Sequence, residues 1–220
     1  ISAISRRAAS TASGKSALGV KLAKKFKGEI ISADSRQVYK GLDIGSGKIT
    51  QKEMLGVPHH LLDVASPKRR FTVAQYRFLA IQAIASVTRQ GKLPILVGGS
   101  PFYIYALTDG WTIPEVKPDL KLRKELEKLS TEQLFSKLQK LDPERLKTIE
   151  QKNRRRLIRA LEIVMTTKKP VPSFKKRPLP YSVLFLGVKR SPEELKQRIR
   201  KRFLSMLRRG FLNEVKVLRK

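Results

Sequence analysis

The chain's 220 residues suffice for one substantial core with an inserted subdomain, and 40% hydrophobic content with regular Gly and Pro punctuation excludes a disordered segment. A net charge of +30, from 48 Lys and Arg against 18 Asp and Glu, favours polyanionic partners and disfavours cationic ones. The lack of cysteine excludes disulfides and thiolate metal sites and fits a reducing, cytoplasmic setting, while no apolar run approaches the ~20 residues of a membrane span.

Residues 1–4 read as a short first strand. Thr11-Ala12-Ser13-Gly14-Lys15-Ser16 then forms the back half of a phosphate-cradling loop, G-x-x-x-x-G-K-[ST]. In such a loop backbone N–H groups wrap phosphates, the Lys neutralises them, and the final hydroxyl, here Ser16, holds Mg²⁺. Ala9 stands where the loop's first Gly belongs, a position that Cβ resists. Leu18, Leu22 and Phe26 place one face of a helix behind the loop, and Gly28 supplies its stop. Ile30-Ile31 begins a buried strand that runs out at Asp34. Thr72 and Gln75 have capping-box spacing, with Phe71 and Tyr76 as a staple, and that helix continues through Ala80, Ile84 and Val87 to Gly91. Residues 94–97 read as a buried parallel strand ending in Gly98-Gly99. This alternation with phosphate-type turns predicts an α/β fold, a P-loop-type doubly wound parallel sheet.

From residue 114 the character changes. Leu122, Leu126 and Leu129, then Leu134, Leu138 and Leu141 after Ser130, are spaced for helices, and Asp142-Pro143 and Asn153 start two more. Residues 183–188 return to a buried strand, and Ser191 caps a long last helix ending near Gly210. On it Arg198 and Arg202 share one face, while Leu195, Ile199, Phe203 and Met206 form an opposite, buried face. The expected organisation is a core of residues 1–113 and 181–220, with a helical subdomain of residues 114–180 inserted in it. Both ends read as cut. His59-His60, an adjacent pair without further His or Cys, reads as structural rather than metal-binding.

Taken together, these motifs resemble the tRNA dimethylallyltransferases, also called tRNA isopentenyltransferases. Their GPTASGKS loop is matched from Thr11 onward, with Ala9-Ser10 in place of Gly-Pro. Their D-S-x-Q-x-Y-x-G-L-D-I-G segment is matched from Asp34 to Gly45 and continues to Lys48. Gly56-Val57-Pro58-His59-His60-Leu61-Leu62-Asp63, Phe71-Thr72-Val73-Ala74-Gln75-Tyr76 and Gly98-Gly99-Ser100-Pro101-Phe102-Tyr103 correspond to further signatures, the last with Ser for Thr and Pro for Gly. Arg156-Leu157-Ile158-Arg159-Ala160-Leu161-Glu162 matches R-L-x-R-A-L-E.

The resemblance implies transfer of a dimethylallyl group from dimethylallyl diphosphate to the N6 amine of the adenine 3′-adjacent to the anticodon of tRNA. It implies Asp34 as the base and Ser100 as the hydroxyl near the reacting centre. Ala9, Ser10, Thr11, Ala12, Ser13, Gly14, Lys15 and Ser16 would hold diphosphate and Mg²⁺, helped by Arg198 or Arg202, between which the sequence does not choose. Asp34, Ser35, Arg36, Gln37 and Ser100 would meet the adenine end of the tRNA anticodon stem-loop, Gln37 through an adenine edge. Arg123, Arg155, Arg156, Leu157, Ile158 and Arg159 in the helical insertion would contact tRNA, chiefly by positioning its phosphates. The expected protein is a monomer without a membrane association. Two other activities stay open: prenyl transfer to free adenine nucleotides, and a P-loop kinase or NTPase. Ser35 and the Arg-rich segment point away from the first. Gly98-Gly99-Ser100, where an acidic Mg²⁺-binding strand end would stand, points away from the second. Ala9 and the ragged N-terminus also suggest a tRNA-binding protein without catalysis, which Lys15, Ser16 and Asp34 argue against.

Overall fold

The computed structural model describes residues 12–111, 114, 116–172 and 180–219. The chain forms two compact units, Ile1–Trp111 with Arg177–Lys220, and Thr112–Lys176.

In the first unit, β1 (Gly28–Ala33), β2 (His59–His60) and β3 (Leu93–Gly98) make a parallel sheet of order β2-β1-β3. β1 is buried along its whole length, as a central parallel strand must be. Successive side chains point to opposite faces. Ile30 packs with Val20 and Ala23 of α1 (Lys15–Lys25) and with Val57. Ile31 and Ala33 pack with Tyr76, Ala80 and Ile84 of α3 (Val73–Arg89) and with Tyr103 and Leu107 of α4 (Pro101–Thr108). Helices thus cover both faces, the α/β arrangement that the alternating pattern predicts. Buried Glu29 accepts from Lys92 at 2.5 Å and contacts His60 at 2.7 Å, and these bonds, Lys92's foremost, hold its carboxyl below the usual range. His59 contacts the Val57 carbonyl at 2.8 Å, so both histidines serve the sheet's edge.

Local signals set several helix starts. Thr72 and Gln75 form a reciprocal capping box at α3, and a four-residue helix, α2 (Gln51–Met54), is capped by Thr50 in the same way. Ser191 accepts from the Glu194 N–H at 3.1 Å to begin α9 (Pro192–Arg208), which is followed by α10 (Phe211–Leu218).

The second unit is helical: α5 (Leu120–Leu126), α6 (Thr131–Leu141), α7 (Pro143–Leu146) and α8 (Arg154–Thr167). Leu126, Leu134, Leu138, Leu157 and Leu161 form its core. Ser130, Asp142 and Asn153 cap α6, α7 and α8. No helix among the described residues is long and apolar enough to cross a membrane.

Four expectations are corrected. α1 packs through Gly19, Val20 and Ala23, leaving Leu18 and Phe26 exposed. The helix lies so close to the sheet that a Cβ on Gly19 would sit 2.6 Å from Val97 Cγ2, so small residues take the contact. Gly28 opens β1 rather than stopping the helix, which is capped at Phe26. Residues 183–188 form no strand, and Val183, Leu184, Phe185 and Leu186 are exposed. A strand needs a laddered neighbour, and these residues pair with none of the three described strands; the expected first strand at residues 1–4 lies outside the described residues. Finally, α9 buries no residue: of its expected buried face, Ile199 and Phe203 are exposed and Leu195 and Met206 are only half-buried.

Candidate active site

The adjacent carboxyl ends of β1 and β3 bring Asp34 and Ser100 together. Gly98 makes this possible, since a Cβ there would lie 2.1 Å from the Ala33 carbonyl oxygen. Beyond it the Ser100 N–H donates to Ala33 O at 3.1 Å, and Ser100 Oγ accepts from the Ser35 N–H at 2.8 Å. Asp34 Oδ1 accepts from the Arg36 N–H at 2.8 Å and the Gln37 N–H at 3.4 Å, a turn that fixes the carboxylate. Gln37 Nε2 donates to Gly47 O at 3.2 Å, leaving its second amide hydrogen and its carbonyl oxygen for another partner. Beneath this turn Tyr103 stacks on Tyr76 at 3.8 Å between centroids. Burial, then the neighbouring Tyr39 and Asp34, push the Tyr103 phenol up to about 12, so it stays neutral.

The start of α1 faces the same end of the sheet. Gly14 caps it in the left-handed region, φ 96°, with no side-chain cap on the first-turn N–H groups. Lys15 Nζ donates to Ser13 Oγ at 3.2 Å. Burial lowers the Lys15 pKa, Arg202 adds to that, and Asp34 opposes it, so these three side chains form one electrostatic cluster. Ser13 is buried, whereas Ser16 is exposed on the first turn. Ala9, Ser10 and Thr11 lie outside the described residues; Ala12 follows them with φ 62°.

The two arginines of α9 separate here. Arg198 turns to Glu194 at 3.1 Å, while Arg202 Nη2 reaches Ser46 O at 3.4 Å and Gly47 O at 3.2 Å. The sequence reading missed Arg190, whose Nε donates to Ser13 O at 3.2 Å. It also passed over Lys48, buried with Nζ on Tyr39 O at 2.9 Å and on Asp43 and Asp63 at 2.5 Å each. Glu214, which meets the loop of residues 43–45, was missed too, although it is the only acid after Glu194 in a strongly basic stretch.

In the helical unit, only some of the expected tRNA-contacting residues face outward. Arg155 and Arg156 are exposed on the first turn of α8, with Arg156 3.2 Å from Glu150. Leu157 and Ile158 are core residues. Arg123 turns inward, its Nε and Nη2 donating to Glu162 at 2.8 and 2.7 Å. Arg159 bonds the same carboxylate and Val116 O, and the Asp119 N–H reaches Glu162 at 2.7 Å. Burial opposes ionisation of Glu162, but the Arg123, Arg159 and Asp119 bonds outweigh it and hold the carboxyl below its usual range.

A parallel sheet with an acid, a hydroxyl and a glycine-led helix start at one end defines an α/β protein of the phosphate-loop class. The chain belongs to the IPP transferase family, whose profile matches residues 37–220. It is 43% identical over 210 residues to the tRNA dimethylallyltransferase of Herpetosiphon aurantiacus, covering 93% of this chain and 67% of that protein. It is 42% identical to the enzyme of the same name from Anoxybacillus flavithermus, covering 94% and 68%. Among solved structures, the full-length tRNA isopentenylpyrophosphate transferase of Bacillus halodurans matches with TM-score 0.65 and 39% identity over 96% of this chain and 67% of that one. A eukaryotic dimethylallyltransferase acting on tRNA matches with TM-score 0.79 and 32% identity over 96% and 54%.

Proposed function

We propose that this protein transfers a dimethylallyl group from dimethylallyl diphosphate to the N6 amine of the adenine 3′-adjacent to the anticodon in tRNA. The observation that carries this reading is the junction of Asp34 and Ser100, tied by the 2.8 Å bond from Ser35 N–H to Ser100 Oγ, beside Lys15. N6 attacks C1 of the donor, the C1–O bond breaks with its electron pair leaving on diphosphate, and Asp34 takes the N6 proton. Lys15, the α1 N–H groups and Arg202 stabilise charge growing on the leaving group. Relatives named for tRNA dimethylallyl transfer favour this over free-nucleotide prenylation and over a kinase or NTPase.

Mg²⁺ fits the residues present. Among the described residues no cluster of three or more His, Cys, Asp or Glu stands ready to hold an ion. Exposed Ser16 offers one hard oxygen at the helix start, which suits an ion that keeps waters and binds mainly through substrate phosphates. Bound there, it would neutralise diphosphate. Arg155 and Arg156 would meet tRNA phosphates, with the anticodon stem-loop as the bound element and the adenine drawn out of its stack. We place the enzyme in the cytoplasm as a monomer.

The test is Asp34→Asn in a prenyl-transfer assay on an anticodon stem-loop. Turnover should fall at least about a hundredfold while stem-loop affinity stays within a few-fold, as loss of a base predicts. Affinity collapsing together with turnover would remove Asp34 from the role of base.

A further inference from the structure

The loop of residues 43–47 is held from outside by the last two helices. Glu214 on α10 accepts three successive backbone N–H groups: Asp43 at 2.9 Å and Ile44 at 2.6 Å on Oε2, and Gly45 at 2.8 Å on Oε1. Consecutive N–H groups converging on one carboxylate form an anion-binding concavity, and bonds to an ionised acceptor are the short, strong kind. The approach is close, since a Cβ on Gly45 would lie 2.8 Å from the Phe211 ring and 3.2 Å from Glu214 Oε1. Two residues further on, Gly47 O accepts both Arg202 Nη2 and Gln37 Nε2, each at 3.2 Å. The path from Glu214 to the Gln37 amide is therefore continuous: carboxylate, loop backbone, Gly47 carbonyl, amide.

We infer that Glu214 is a positioning residue for acceptor recognition. It fixes the loop whose Gly47 carbonyl turns the Gln37 amide toward the incoming adenine. This rests on the functional reading above, together with the adenine contact of Gln37 that the family resemblance implies. Glu214 touches no reacting atom; it acts through Gln37.

A double-mutant cycle tests this with Glu214→Gln, Gln37→Ala and the pair, assayed for prenyl transfer to an anticodon stem-loop. Glu214→Gln keeps the shape but removes the charge and puts an amide NH2 where one acceptor oxygen stood, so at least one of the three bonds is lost. It should lower kcat/KM for the stem-loop about tenfold while KM for dimethylallyl diphosphate stays within twofold. In the Gln37→Ala background the same change should cost less than twofold. Amide exchange at Asp43, Ile44 and Gly45 should quicken at least tenfold in Glu214→Gln, with exchange at the core of β1 unchanged. Additive effects of the two substitutions in an active wild-type background, or unaltered exchange at those amides, overturn the inference alone. A wild-type protein that prenylates no stem-loop overturns the functional reading and this inference with it. A global loss of protection in β1 would make Glu214 a stability residue and likewise overturn its positioning role.

Discussion

Glu162 governs the helical unit from a single fully buried carboxylate. Arg123, Arg159 and the Asp119 N–H converge on it, so two arginines that read as surface cations are instead committed to the fold. Glu162→Ala would strand these donors, and breaking a buried pair from one side costs on the order of 3 kcal/mol. The urea midpoint should fall accordingly, with Glu162→Gln between the two. The pH dependence has a definite sign. The folded carboxyl is held below its unfolded value of about 4.3, so its contribution is complete above that pH and is lost as pH falls through the folded pKa. The stability difference between wild type and Glu162→Ala should therefore narrow on acidification below about pH 4. A difference independent of pH would show that packing, rather than the charge, is what Ala removes.

Between β1 and β3 the decisive contact is backbone on backbone. Gly98→Ala drives a Cβ to within 2.1 Å of the Ala33 carbonyl, where neither strand can rotate away. Overpacking of this kind costs roughly 1–3 kcal/mol. It should also loosen the Ser35–Ser100 bond, so prenyl transfer should fall further than the denaturation midpoint implies; activity tracking stability alone would deny the link. What could be read in advance divides along the same line. The starts of α3, α6, α8 and α9 were legible at Thr72, Ser130, Asn153 and Ser191, because capping is settled within four residues. β1, Asp34, Gln37 and Ser100 were legible because strand ends with turn motifs are local too. The packing face of α1 was not, since Gly19 is chosen by Val97 on another strand. Nor was the inward turn of Arg123 and Arg159, fixed by Glu162 some 40 residues away from Arg123. Arg202 is separated from Arg198 only by which acceptors each meets, Gly47 O or Glu194. The apolar run at residues 183–188 was legible, but an apolar run supplies no pairing partner.

Across the whole molecule, the two units differ in how far along the chain their contacts reach. The helices from Leu120 to Thr167 pack on one another within a single continuous stretch of chain, their longest contacts reaching about 40 residues, whereas β1 pairs residue for residue with β3, Gly28 opposite Leu93, about 65 residues on. Nonlocal pairing must close a long loop before any contact rewards it, and so it is slower. The single tryptophan, Trp111, stacks with Tyr105 at 5.8 Å and belongs to the sheet-containing unit. On refolding from urea, far-UV circular dichroism should therefore gain amplitude before Trp111 fluorescence does; one shared rate would contradict this ordering.

The same register has a consequence at the ribosome. With synthesis at about 5–20 residues per second, β1 waits roughly 3–13 s for β3, the strand that pairs along its whole length, to be made. During that interval Gly28-Glu29-Ile30-Ile31 has at most the two-residue β2 on one edge and an open edge on the other, the kind of segment on which chains adhere to one another. Glu29 stands among its apolar residues as a gatekeeper charge. That charge is neutralised only when Lys92 arrives in register, with the His60 ring on the second carboxylate oxygen, so the feature that discourages mispairing of the nascent strand becomes a buried ion pair once pairing is correct.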